Sequence, residues 1–142
     1  MIHYILFRTQ AHTTEDVSRV RQALENVLPA NTPIEEEEAK GYFDNPIVIL
    51  TARLNKKAAE KYMDFLHEKL HEPDRKELIT ELPERVSDDC DFFLKLSKQD
   101  AFLGGLRIMY AEDAIAIRAR IAVYPAKREK ALQQMREYLH AQ

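Results

Sequence analysis

His67-Glu68-Lys69-Leu70-His71 has the H-E-x-x-H spacing of a zinc protease, where two histidines one helical turn apart grip the metal and the glutamate acts as base. The stretch falls on a predicted helix over 56–70, as that motif requires. The apolar stripe of this helix is Ala59, Tyr62, Met63, Leu66 and Leu70. At about 100° per residue Glu68 points nearly opposite the stripe, away from any cleft. Pro73 stops the helix, and no G-x-x-H follows to supply a third ligand. Cys90 lies among Asp88, Asp89 and Asp91, whose charges disfavour a thiolate, so it reads as a buried residue and not a nucleophile. Ser97 and Lys98 adjoin on a predicted strand and therefore face opposite ways. Gly104-Gly105 lacks the flanks of a phosphate loop. The expectation is a non-enzymatic protein with no cofactor and no metal.

What remains with binding chemistry is cations and aromatic rings. Phosphates are held by cations that displace condensed counterions, and unpaired bases stack on flat rings. The net charge of −3 argues against such a ligand, but the distribution argues for it. Residues 95–142 carry nine Lys/Arg against five Asp/Glu, while residues 1–94 are net acidic.

Strands must position these groups. Residues 114–124 alternate with period two: Ile115, Ile117, Ala119, Ile121 and Val123 form a core side, and Ala114, Ala116, Arg118, Arg120, Ala122 and Tyr124 form the other. The same split runs through 2–11, 47–54 and 90–98, and less clearly through 34–40, where Glu35 to Glu38 suit an edge strand. A strand over 106–110 is predicted to form a hairpin with 114–124 across a turn at Glu112-Asp113. Helices are predicted from Thr13 or Thr14 to Leu28, over 56–70, over 74–81, and from Pro125 onward. The class is therefore α+β: one two-layer domain over 1–142, a mainly antiparallel sheet of about five or six strands, and helices packed on one face. Parity then puts Tyr4, Arg8, Thr51, Arg53, Phe93, Lys95, Arg107, Arg118, Arg120 and Tyr124 on the uncovered face, six of them cationic and none acidic. Lys127, Arg128 and Lys130 form a second basic group at the start of the last helix, where cations oppose the helix dipole and suit an anionic ligand.

The totals set the remaining bounds. A chain of 142 residues with 45% hydrophobic content can bury a core of ordinary size. One cysteine leaves no internal disulfide. No apolar run is long enough for a membrane span and no signal-peptide pattern opens the chain, so a cytoplasmic location is expected.

Three stretches carry a family likeness: residues 41–50 (GYFDNPIVIL), 96–104 (LSKQDAFLG) and 124–131 (YPAKREKA). They resemble the archaeal family of RNA-binding proteins also described as predicted exosome subunits. Lys98, Gln99, Ala101, Phe102 and Gly104 form the most specific part. The resemblance implies a fold like that of the large-subunit ribosomal protein that binds five-S RNA, and a place in RNA processing. The expected partner is RNA, with exosome subunits as further partners. The expected phosphate contacts are Arg8, Arg53, Lys98, Arg107, Arg118, Arg120, Lys127 and Arg128, with Tyr124 stacking on a base. The alternative is a protein-interaction module or homodimer that uses the same sheet face without touching RNA.

Overall fold

Over most of the chain, alternation of period two ends up in strands and apolar residues three or four apart end up in helices. The structure is a computed structural model and describes residues 1–140. Its order is β1 (Ile2–Ala11), α1 (Val17–Val27), β2 (Glu35–Lys40), β3 (Pro46–Asn55), α2 (Lys56–Lys69), α3 (Glu72–Thr80), α4 (Leu82–Arg85), β4 (Asp91–Leu96), α5 (Lys98–Phe102), β5 (Ile115–Ile121) and α6 (Arg128–His140). The strands form one open antiparallel sheet in the order β2-β3-β1-β5-β4, an α+β arrangement as predicted.

Parity decides which side of each strand is dry. Ile5, Phe7, Thr9 and Ala11 of β1 are buried, as are Leu50, Ala52 and Leu54 of β3. Phe92, Leu94 and Leu96 of β4 and Ile115, Ile117, Ala119 and Ile121 of β5 complete this side. Their alternates Arg8, Arg53, Phe93, Ala116 and Arg118 are exposed. The helical stripes, such as Val20, Leu24 and Val27 of α1 and Ala131, Leu132, Met135 and Leu139 of α6, are buried as well. Each large apolar side chain buried in this way contributes about 1.5–3 kcal/mol.

By its internal contacts the chain divides into two compact units. One holds Met1–Ile5, Leu54–Leu94 and the chain from Arg118 onward, and in it α3 and α4 pack on each other and α2, α3 and α4 each pack on α6. The other holds Leu6–Arg53 and Lys95–Ile117, and in it α1 packs on α5.

Several local readings change. The cap of α1 is Asp16, whose carboxylate accepts the Ser18 N–H at 2.9 Å, and not Thr13 or Thr14. That bond and the one from the Ser18 hydroxyl hold the Asp16 carboxyl below its usual range. The segment 106–110 is not a strand and is not the hairpin partner of β5. Its Ile108 bridges Leu96, the Ser97 N–H donates to the Arg107 carbonyl, and the Met109 N–H donates to the Lys95 carbonyl. It therefore lies along the end of β4. Helix α6 begins at Arg128, three residues after Pro125.

Helix α5 replaces a predicted connection, and it explains most of the family-like segment. Ser97 caps it by accepting the Asp100 N–H at 3.1 Å. Ala101 is fully buried, and the Asn26 side chain of α1 donates to its carbonyl at 2.9 Å. The Arg19 guanidinium of α1 lies 4.6 Å over the Phe102 ring. Gly104 follows with φ of +90°, a backbone that a side chain would strain. The segment is thus a device for docking α5 on α1.

Candidate nucleic-acid interface

In the unit made of Leu6–Arg53 and Lys95–Ile117, Lys98 opens α5 with its ammonium turned inward. It donates to the Gln10 carbonyl at 2.8 Å, to both Glu15 oxygens at 2.9 Å and to Asp113 Oδ1 at 2.8 Å. Its side chain is only 10% exposed. The structure therefore places Lys98 as an internal tie between the end of β1, the entry to α1 and the lead-in to β5. His12 joins the same cluster through Asp113 at 3.2 Å. His12, Glu15 and Asp113 keep their ligand atoms within 4.8 Å of one another, yet the cation bound to both carboxylates is the Lys98 ammonium.

Partial burial alone would raise the Asp113 pKa, but the hydrogen bonds and charges of Lys98 and then His12 outweigh it and hold the carboxyl below its usual range. A depressed carboxyl stabilises the fold above its unfolded value, and that stability is lost as pH falls through the folded value. Lys98→Met is expected to cost about 2 kcal/mol at neutral pH, discounted because Glu15 and Asp113 are partly solvated. The same variant should flatten the acid limb below about pH 4, since Asp113 loses its main stabilising partner. Urea melts at pH 7 and pH 3 check both effects. An unchanged midpoint at pH 7 would remove the tie from the structural reading.

Next to this cluster lies a concavity of about 290 Å³ lined by Arg8, Gln10, His12, Lys95, Ala114 and Ala116, among others. Ala116 of β5 is small and exposed there, whereas Ala114, put on the same side by parity, is buried. Lys95 is engaged by Glu112 at 3.4 Å. Arg8 is exposed on the side of β1 away from the core, and its guanidinium has no hydrogen-bond or ion-pair partner among the described residues. Arg53 is exposed too and borders a second hollow with Leu6, Pro33, Glu35 and Thr51. Arg107 is exposed but sits in the non-strand segment beside β4.

In the other unit Arg118 is likewise exposed and without a partner among the described residues. Its neighbour on the same side, Arg120, is committed. It makes a two-point contact with Asp91, Nε to Oδ1 at 2.7 Å and Nη2 to Oδ2 at 3.2 Å, and lies 5.9 Å over the Tyr4 ring. Arg128 is also committed, donating to the carbonyls of Val86 and Pro83 beside α4. Lys130 donates to the Tyr124 carbonyl at 2.9 Å. Backbone oxygens thus engage two of the cations at the start of α6, whose placement against the dipole suggested an anion. Lys127 and Tyr124 stay exposed.

Parity also missed the acids on the uncovered side. Register sets Glu35 opposite Thr51 and Glu37 opposite Ile49, so both share that side, and Asp91 is the partner of Arg120. Asp91 was readable from its spacing to Phe93 and Lys95, but nothing in sequence says which arginine stands across from it. The zinc-protease pattern comes apart: His67 is buried in α2, Glu68 is exposed, and His71 lies beyond the end of that helix. Cys90 is buried, and burial pushes its thiol pKa up, against thiolate chemistry.

Comparison with known proteins gives this arrangement a context. A family model described as RNA binding matches residues 4–121. RNA-binding protein PAB1135 of Pyrococcus abyssi is 32% identical over 146 residues, covering 99% of this chain and 95% of that one. The solved structure of Mth689, a DUF54 protein of Methanothermobacter thermautotrophicus, is 35% identical, covers 99% of each chain and superposes with a TM-score of 0.84. AF2318 of Archaeoglobus fulgidus, also described as DUF54, is 30% identical with a TM-score of 0.88, covering 97% of this chain and 99% of that one.

Proposed function

This chain belongs to the RNA-binding family whose model spans residues 4–121, and from that premise we propose that it is a non-catalytic RNA-binding protein serving RNA processing. The exosome, or ribosome maturation, is the setting to which the resemblance in 41–50, 96–104 and 124–131 points. The observation that carries the reading is two guanidiniums without a partner among the described residues, Arg8 in one unit and Arg118 in the other, each on the wet side of its strand. A guanidinium in water without a carboxylate partner is available to pair with a phosphate in two-point fashion. Arg53, Arg107 and Lys127 supply further exposed charge.

In this reading Lys98, Arg120 and Arg128 hold the scaffold, and the contacts to RNA fall to Arg8, Arg53, Arg107, Arg118 and Lys127. Such contacts go to the backbone of RNA and carry little sequence information, so recognition is of shape and of unpaired strands. Titration of labelled structured and single-stranded RNA at two salt concentrations tests this. Binding that weakens steeply with salt is expected. No binding of either RNA at low salt would overturn the reading and leave a protein-docking or dimer surface in its place.

A further inference from the structure

Where β5 ends, the chain presents a ring to water. The Ala122 N–H still donates to the Met1 carbonyl at 2.8 Å, and two residues later Tyr124 stands 92% exposed. Its backbone is pinned. Lys130 reaches back from α6 to the Tyr124 carbonyl at 2.9 Å, and the Lys127 N–H donates to the Pro125 carbonyl at 2.8 Å. A tyrosine on a fixed backbone is a platform that loses little side-chain freedom when covered. The ring borders a concavity of about 440 Å³ whose walls include Met1, Val123, Gln133 and Gln134. That volume lies in the range of small-ligand pockets.

The chemistry of the walls selects the ligand. A flat ring attracts a flat partner, each carboxamide offers both donors and an acceptor without charge, and the Glu137 carboxylate that also lines the hollow repels a phosphate and accepts from a base edge. This set suits a neutral planar ring with a hydrogen-bonding edge better than it suits a phosphate. Lys130 uses one donor on the Tyr124 carbonyl and keeps others for an anion beside that ring. We infer that the hollow between Tyr124 and α6 is a subsite for one unpaired nucleobase of RNA, stacked on Tyr124 and held at its edge by Gln133 and Gln134. The inference rests on the RNA-binding reading above. It goes beyond it, because these residues lie outside the segment 4–121 matched by the family model.

The protein contains no tryptophan, so Tyr124→Trp creates a single emitter at the site. Oligoadenylate should quench that emission saturably, whereas an abasic phosphodiester of equal length should bind without quenching. Tyr124→Ala should weaken oligoadenylate binding about ten- to a hundredfold, and Tyr124→Phe should keep it near the parent value. The ring is outside the core, so all three variants are expected to fold, which circular dichroism verifies. If oligoadenylate binds by fluorescence polarisation while the tryptophan emission is unchanged and Tyr124→Ala binds like the parent, the subsite is wrong and the RNA reading stands. If no oligoribonucleotide binds the parent protein at low salt, both fall together.

Discussion

Arg120→Ala is expected to cost about 3 kcal/mol of stability and to lower the melting temperature by roughly 10 °C. The reason is what the truncation leaves behind. The Asp91 side chain is 7% exposed and has both oxygens engaged by Arg120. Removing the guanidinium strands a buried carboxylate, which costs more than the pair itself contributes. Arg120 is 37% exposed, so the lower end of the range for broken buried pairs applies. Asp91→Ala combined with Arg120→Ala should recover part of the loss, giving a clear coupling in a double-mutant cycle. Strictly additive losses would mean that the two side chains do not depend on each other. Arg120 also lies over the Tyr4 ring, so some of the cost comes from lost stacking and will persist in the double variant.

Removing Arg8 and Arg118 should have the opposite profile. Arg8→Ala plus Arg118→Ala is expected to leave the melting temperature within a few degrees of the parent, since neither guanidinium has a partner among the described residues. RNA affinity should fall about ten- to fiftyfold at moderate salt, and the slope of log affinity against log salt should become shallower by about two. Binding that ignores this pair would move the interface elsewhere. Pairing Arg118 with Arg120 in one variant would confuse loss of binding with loss of fold, because Arg120 has a structural partner and Arg118 has none among the described residues.

That separation of exposed cations from structurally engaged ones was not legible in the sequence. Period-two alternation identified the dry and wet sides of β3, β4 and β5 and of β1 from Ile5 onward, because a strand has only two sides and apolar residues take one; at the start of β1 it fails, with Ile2 buried and His3 exposed. Edge strand β2 was placed correctly despite its four glutamates, since an edge tolerates charge. The partner of 106–110 was misread because pairing is decided by the fold at long range, and adjacency along the chain favoured the wrong hairpin. Helix α5 has five residues, too few to show a helical period. Lys98, Arg120 and Arg128 read from sequence like Arg8 and Arg118. Only the positions of Glu15, Asp113, Asp91 and two carbonyls beside α4 reveal that the first three are occupied. Sequence counts charge; which charge is spent internally depends on what the fold sets opposite it.

The wet side of the strands as the RNA surface is tested most directly by amide chemical-shift mapping of the isotope-labelled protein titrated with a short single-stranded RNA. Shifts at Arg8, Gln10 and Ala116 in one unit, and separately at Arg118 in the other, with their strand neighbours, are the expected result. Shifts confined to α1, α2 and α3, with those strand amides unmoved at saturation, would contradict it.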